Sequence, residues 1–277
     1  MINTWISTVV LLIFFVVPNI GLCQISFSLP DDNDKRFLQE LYRDQKIKEI
    51  TIYKQIVKPF DTTIYMIFHQ FFDENGNMLE EKNMETDRTT LNFFDQNGDI
   101  FRKILFIKGK KINSTYYYFN RYDRIIATEI YDRLDSLSVR NYYNHIESEN
   151  EIKCIISNCH GDTTQIEYLF YEEPETMRYE RLKYPDILAC EIYYAFNSED
   201  RISRKVKHDI LQGNFESWGF AYDEKGRRFI GERYNENQEQ TGTVEYFHDT
   251  NGLLKREIYR DRGGRIQHEI IYEYQKY

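Results

Sequence analysis

A short turn signature recurs along this chain, and it limits the fold more than any other feature. Phe71-Phe72-Asp73-Glu74-Asn75-Gly76-Asn77-Met78 returns 22 residues later as Phe93-Phe94-Asp95-Gln96-Asn97-Gly98-Asp99-Ile100. Phe220-Ala221-Tyr222-Asp223-Glu224-Lys225-Gly226-Arg227 and Tyr246-Phe247-His248-Asp249-Thr250-Asn251-Gly252-Leu253 stand 26 apart, and Asp261 to Gly264 gives a further copy. Degenerate copies begin at Tyr118 and Tyr194. In each, an aromatic ends a strand and Asp or Asn opens a turn by bonding its side chain to nearby backbone. The residue three places on must accept positive φ, as a type I turn with a following bulge demands. The structural turn residues are therefore Asp73, Gly76, Asp95, Gly98, Asp223, Gly226, Asp249, Gly252, Asp261 and Gly264.

Weaker turns sit at half the period, at Glu85-Thr86-Asp87, Lys108-Gly109-Lys110, Arg133-Leu134-Asp135 and Asn235-Glu236-Asn237. Turn signals every 10 to 15 residues from about 74 to 264 describe many short strands and leave no room for crossover helices. In Ile266 to Lys276, Ile266, His268, Ile270, Tyr272 and Tyr274 share one parity and Gln267, Glu269, Ile271, Glu273 and Gln275 the other, as in a half-buried strand. The expected fold is all-β: a long antiparallel meander of repeated hairpins forming a single curved or spiral sheet over 50–277. A segment 24–49 precedes it, with a short helix at about 34–45 capped near Asn33. Residues 172–190, with Pro174 and Pro185, read as a looser connection where the sheet divides.

Residues 6–17 form the one long apolar run, and it is shorter than the roughly 20 residues of a spanning helix. Pro18, Asn19 and Gly21 follow, with a cleavage site after Cys23, so 1–23 read as a signal peptide and the mature chain as exported, without a transmembrane span. Net charge is −9, with both signs interspersed, which excludes a nucleic-acid binder needing a basic face. Cys154, Cys159 and Cys190 would remain after cleavage, and their pairing is left open.

No catalytic, cofactor or metal residues are expected. Cys154 and Cys159 lack a second cysteine pair for zinc. Cys159 and His160 are sequence neighbours, which suits turn chemistry better than a nucleophile and its base. The loops opening at Asp73 and Asp95 lack the glycine and glutamate of a calcium loop. Tyrosines such as Tyr116, Tyr118, Tyr142 and Tyr194 form a candidate binding face for a protein or carbohydrate partner, against the plainer reading as cross-strand packing pairs.

The unit Tyr222-Asp223-Glu224-Lys225-Gly226-Arg227 resembles the YD repeats of RHS-type proteins, and the hairpin period is similar to that of MORN-like proteins. The resemblance is good over 220–266, fair over 71–100 and faint elsewhere. It implies stacked hairpins and transfers no activity. Asp61-Thr62-Thr63, Asp135-Ser136-Leu137 and Asp162-Thr163-Thr164 resemble the O-glycosylation acceptors of exported Bacteroidetes proteins. The function expected is a non-enzymatic structural or binding module at the cell envelope, whether periplasmic, cell-surface or secreted. The alternatives are an immunity or antitoxin-like protein and an outer-membrane β-barrel.

Overall fold

The computed structural model describes residues 30–58, 61–121, 124–148, 151–173 and 175–277. The signal-peptide reading of 1–23 lies outside them. A helix, α1 (Pro30–Asp44), leads into β1 (Ile47–Lys58) and β2 (Asp61–Phe72). Then come β3 (Met78–Asn83), β4 (Arg88–Phe94), β5 (Ile100–Ile107), β6 (Lys110–Phe119), β7 (Ile125–Tyr131) and β8 (Leu137–Glu147). The chain continues through β9 (Glu151–Ser157), β10 (Thr163–Glu173), β11 (Thr176–Lys183), β12 (Ile187–Phe196) and β13 (Ile202–Asp209). It finishes with β14 (Asn214–Tyr222), β15 (Arg228–Tyr234), β16 (Gln240–His248), β17 (Leu254–Asp261) and β18 (Ile266–Lys276).

The helix begins earlier than the sequence suggests, and Asn33 lies within it rather than at its cap. Proline is tolerated in a first helical turn because the N–H it lacks has no intrahelical partner there. Residues 172–190, read as a looser connection, fall in β10, β11 and β12 and the turns between them, and each of the two ladders carries a register shift there.

Every strand pairs antiparallel with its successor, and β18 pairs back onto β1, with Ile50 opposite Tyr274 and Ile52 opposite Tyr272. The sheet is thus a closed 18-stranded barrel, which corrects the expectation of a curved or spiral sheet. The hairpin signal is local, whereas closure joins strands more than 200 residues apart and has no local signature. Closure also removes the exposed edge that would otherwise template further pairing.

One turn geometry builds both ends. Five-residue turns open at Asp73, Asp95, Asp132, Asn158, Asn197, Asp223, Asn235, Asp249 and Asp261, where the opener's N–H donates to the carbonyl four residues on at 2.8–3.0 Å. The opener's Oδ1 accepts from that residue's N–H in return, as at Asp73, Asn158 and Asp249. The fourth residue has positive φ, at Gly76 (78°), Gly98 (88°), Gly226 (77°), Gly252 (89°) and Gly264 (77°), but also at Asp135 (61°), Asp200 (58°) and Gln238 (62°). The weak half-period signals at 133–135 and 235–237 therefore mark the same turn without glycine.

In a meander, alternate turns lie at opposite ends. The end where β1 begins carries the turns opening at 73, 95, 223 and 249, and α1 packs there. Leu41 and Tyr42 lie against Ile47, Ile50, Phe72 and Leu253. The Tyr42 ring meets Phe72 edge-on at 5.0 Å. Gln39 Nε2 donates to Asn77 Oδ1 at 2.5 Å, and Tyr277 donates through its hydroxyl to the Phe72 carbonyl.

Two turn glycines separate conformational from packing demands. A Cβ on Gly252 would meet nothing within 4 Å, whereas one on Gly76 would lie 2.3 Å from Gln39 O and 3.0 Å from Arg43 N of α1. Gly252→Ala should cost about 1–2 kcal/mol, the left-handed penalty alone. Gly76→Ala should cost roughly 1–3 kcal/mol more through overpacking. Urea unfolding checks this, and deleting α1 should bring the two penalties together.

Candidate functional site

Register around the ring assigns each strand residue to one of two faces. One face holds Leu169, Tyr179 and Tyr194, exposed by 2%, 1% and 1%. Only the concave side of a closed sheet hides side chains in this way, so this face is the lumen. Two apolar clusters line it on opposite arcs. On β8 to β14, Cys154, Ile156, Leu169, Tyr179, Cys190, Ile192, Tyr194 and Ile202 pack together, flanked by Tyr143 and Phe220. On the other arc, Tyr272 and Tyr274 join Ile50 and Phe72 beneath α1.

The outer face is different in kind. Arg140 pairs with Glu129, Arg178 with Glu180, Arg256 with Glu269 at 2.9 Å, and Arg260 with Glu245 at 3.1 Å. Glu129 also accepts from the Tyr118 hydroxyl at 2.9 Å and the Tyr131 hydroxyl at 2.8 Å. The Tyr131 bond leads in holding the Glu129 carboxyl below the usual carboxylate range, with Tyr118 and Arg140 contributing. These strand-centred pairs form a charged lattice around the barrel.

The lumen carries polar groups as well. Glu257 accepts from the Tyr259 hydroxyl at 2.6 Å and the Tyr272 hydroxyl at 2.7 Å. Tyr274 donates to the Leu254 carbonyl at 2.6 Å, and the Lys255 ammonium sits 4.9 Å from its ring centroid. Burial pushes the phenols of Tyr42 and Tyr246 up to about 12 and raises those of Tyr117, Tyr143, Tyr259, Tyr272 and Tyr274. Trp218, Phe220, Tyr246 and Tyr272 keep partial exposure although they face inward, so the space they border is the lumen itself.

The tyrosines expected as one binding face divide. Tyr116, Tyr118 and Tyr142 face outward: Tyr116 stacks with Arg102 at 4.9 Å, and Tyr142 is exposed. Tyr194 faces the lumen. The turn residues Asp73, Asp95, Asp223, Asp249 and Asp261 spend their side-chain oxygens on backbone N–H groups. Cys154, Cys159 and Cys190 are all unbridged thiols, the first and third buried in the lumen wall on β9 and β12, the second exposed in a turn. Cys159 Sγ lies 3.5 Å from His160 Nδ1.

Glu257, Arg233, Lys54 and His268 were not singled out from the sequence. The parity of β18 alone groups His268 with Tyr272, but only the cross-strand register adds residues from β1, β15 and β17.

The raised phenols fix a pH dependence. Each favours its neutral form when folded, so their contribution is complete below the ordinary phenol value of 10.0 and is lost as pH rises toward about 12, the value at Tyr42 and Tyr246. Denaturant midpoints should fall above about pH 10. Tyrosinate absorbance from this set should rise together with loss of the strand signal. Full ionisation of all tyrosines before unfolding would contradict their burial.

No family model matches the chain, and no curated protein matches it. Among solved structures it is similar to a porin-like protein from Bacteroides uniformis, at 8% identity over 83% of this chain and 97% of that one, with a TM-score of 0.42. A porin-like protein from Bacteroides vulgatus follows at 9% identity, covering 83% and 99%, with a TM-score of 0.32. A LolA superfamily protein from Nitrosomonas europaea has 8% identity, covering 89% and 92%, with a TM-score of 0.27. At these scores none of them decides what this chain binds, and the YD-repeat likeness has no family match behind it.

Proposed function

We propose that this chain is an exported, non-enzymatic binding barrel of the cell envelope that holds a small ligand in its lumen. The observation that carries the reading is sidedness: a tyrosine-rich, partly exposed inner face and an outer face laced with ion pairs. Eighteen strands close a ring wide enough to leave internal space, since small barrels of about eight are filled by their own side chains. The bordering groups are apolar and aromatic with a few placed polar atoms, the composition of ligand pockets. The export half of the reading rests on the apolar run at 6–17.

The same sidedness disfavours an outer-membrane barrel. A lipid-facing band must be apolar, and each Arg at mid-membrane depth costs about 2–4 kcal/mol. Arg140, Arg178, Arg256 and Arg260 all point outward from within strands. The partner chemistry shifts accordingly, from a protein or sugar on an outer tyrosine face to a small molecule inside.

The test is fractionation followed by probe binding. The mature chain should stay in the aqueous phase without detergent, and the neutral fluorophore N-phenyl-1-naphthylamine should bind it saturably. Gly231→Trp should abolish that binding, because a Cβ at Gly231 already comes within 3.3 Å of the Tyr246 hydroxyl and a larger side chain must enter the lumen. Partition into membranes after a carbonate wash, or binding indifferent to a well-folded Gly231→Trp variant, would overturn the reading.

A further inference from the structure

One arc of the lumen gathers basic groups. Arg233 on β15 lies opposite Gly242 on β16, Val244 lies opposite Tyr259 on β17, and Tyr259 lies opposite His268 on β18. Lys54 on β1 lies opposite Ile270 on β18, one step along the same inner row as His268. All sit toward the end of the barrel away from α1.

Gly242 makes the grouping compact. It has no side chain, and a Cβ there would come 3.2 Å from Arg233 Nη2, so the guanidinium lies across β16 toward Tyr259. Arg233 Nε donates to Thr241 Oγ1 at 3.3 Å, which steadies the arm. The Tyr259 and His268 rings stack at 4.3 Å with planes 14° apart. Burial, then Lys54 and Arg233, push the His268 imidazole below its ordinary value.

Two carboxylates face inward nearby, Glu257 and Glu216 of β14, and neither is ion-paired to these cations among the described residues. The two oxygens of Glu257 accept from Tyr259 and Tyr272. Glu245 and Glu269 belong to the outer face, on Arg260 and Arg256. Lys54 and Arg233 form no ion pair among the described residues. Beside them, Trp218 on β14, opposite Arg233, and Tyr246 on β16 turn partly exposed rings inward. Partly desolvated cations beside such rings gain most from an incoming anion that brings its own apolar surface.

We propose that Arg233 and Lys54, with His268 as a donor, bind the anionic headgroup of an amphipathic ligand whose apolar body lies against Trp218 and Tyr246. The headgroup is a carboxylate, sulfonate or phosphate ester. This rests on the lumen reading above and names the ligand class for the same space.

Two fluorophores with nearly the same aromatic body separate the claims: N-phenyl-1-naphthylamine is neutral, and 8-anilinonaphthalene-1-sulfonate carries one negative charge. The sulfonate should bind the mature chain more tightly, and its advantage should shrink with salt as surface-accessible charges are screened. Arg233→Gln and Lys54→Gln should each weaken sulfonate binding about fivefold or more, on the scale of one lost charge-assisted contact. Both should leave the neutral probe within about twofold, the margin expected when no such contact is removed. Laurate should displace the sulfonate, and inorganic phosphate at equal concentration should not. Neutral-probe binding without an advantage for the sulfonate, or variants that weaken both probes equally, would overturn the anion site while sparing the lumen. Failure of the neutral probe to bind would remove the lumen reading and this one with it. Lys54→Gln, which breaks no hydrogen bond given above, keeps the test readable should Arg233→Gln fold poorly.

Discussion

The ladder between β1 and β18 is the contact on which the rest of the molecule depends. Ile50 and Ile52 face the lumen on one side of it, and Tyr274 and Tyr272 meet them on the other. Without this seam the sheet would be a twisted ribbon with two raw edges, and both faces would be open to water. With it, one face of every strand becomes an interior. The same seam seats α1, because the cluster that receives Leu41 and Tyr42 is assembled from β1, β2 and β18.

Sidedness follows from closure and from the turns that keep register. Each five-residue turn spends an Asp or Asn oxygen on backbone donors and puts one residue in the left-handed region, which sets where the next strand begins. A one-residue slip would exchange the inner and outer sets. Tyr246, Tyr259 and Tyr272 would then point outward, while Glu245, Arg256 and Glu269 would face the lumen. Glycine is the cheapest occupant of the left-handed position but not the sole one: Asp135, Asp200 and Gln238 hold it too.

Much of this fold was legible in the sequence because its determinants are local. The Asp-to-glycine spacing from 73 to 264 marks the hairpins, and the alternation of Ile266 to Tyr274 separates wet from dry faces. Closure was not legible. It is written in no motif, and an open spiral satisfies the same turns. The charges on both parities of Leu253 to Arg260 are intelligible only when β17 is placed, with Glu257 inside on tyrosine hydroxyls and Arg256 and Arg260 outside on carboxylates. The candidate site was illegible for the same reason. Lys54, Arg233 and His268 are ordinary residues until three cross-strand registers bring them to one arc, and Tyr116, Tyr118 and Tyr142 look like partners of Tyr194 until register sends them to the other face.

The most direct measurement concerns the seam. Thr51 and Glu273 are cross-strand partners between β1 and β18, and both face outward. In a chain whose native cysteines are replaced by serine, Thr51→Cys with Glu273→Cys should form an intramolecular disulfide in the monomer under mild oxidation. Thr51→Cys with Leu91→Cys, on β4, should not. An absent cross-link at Thr51 and Glu273, or one found only between molecules, would mean that the sheet is open and that the chain has no lumen.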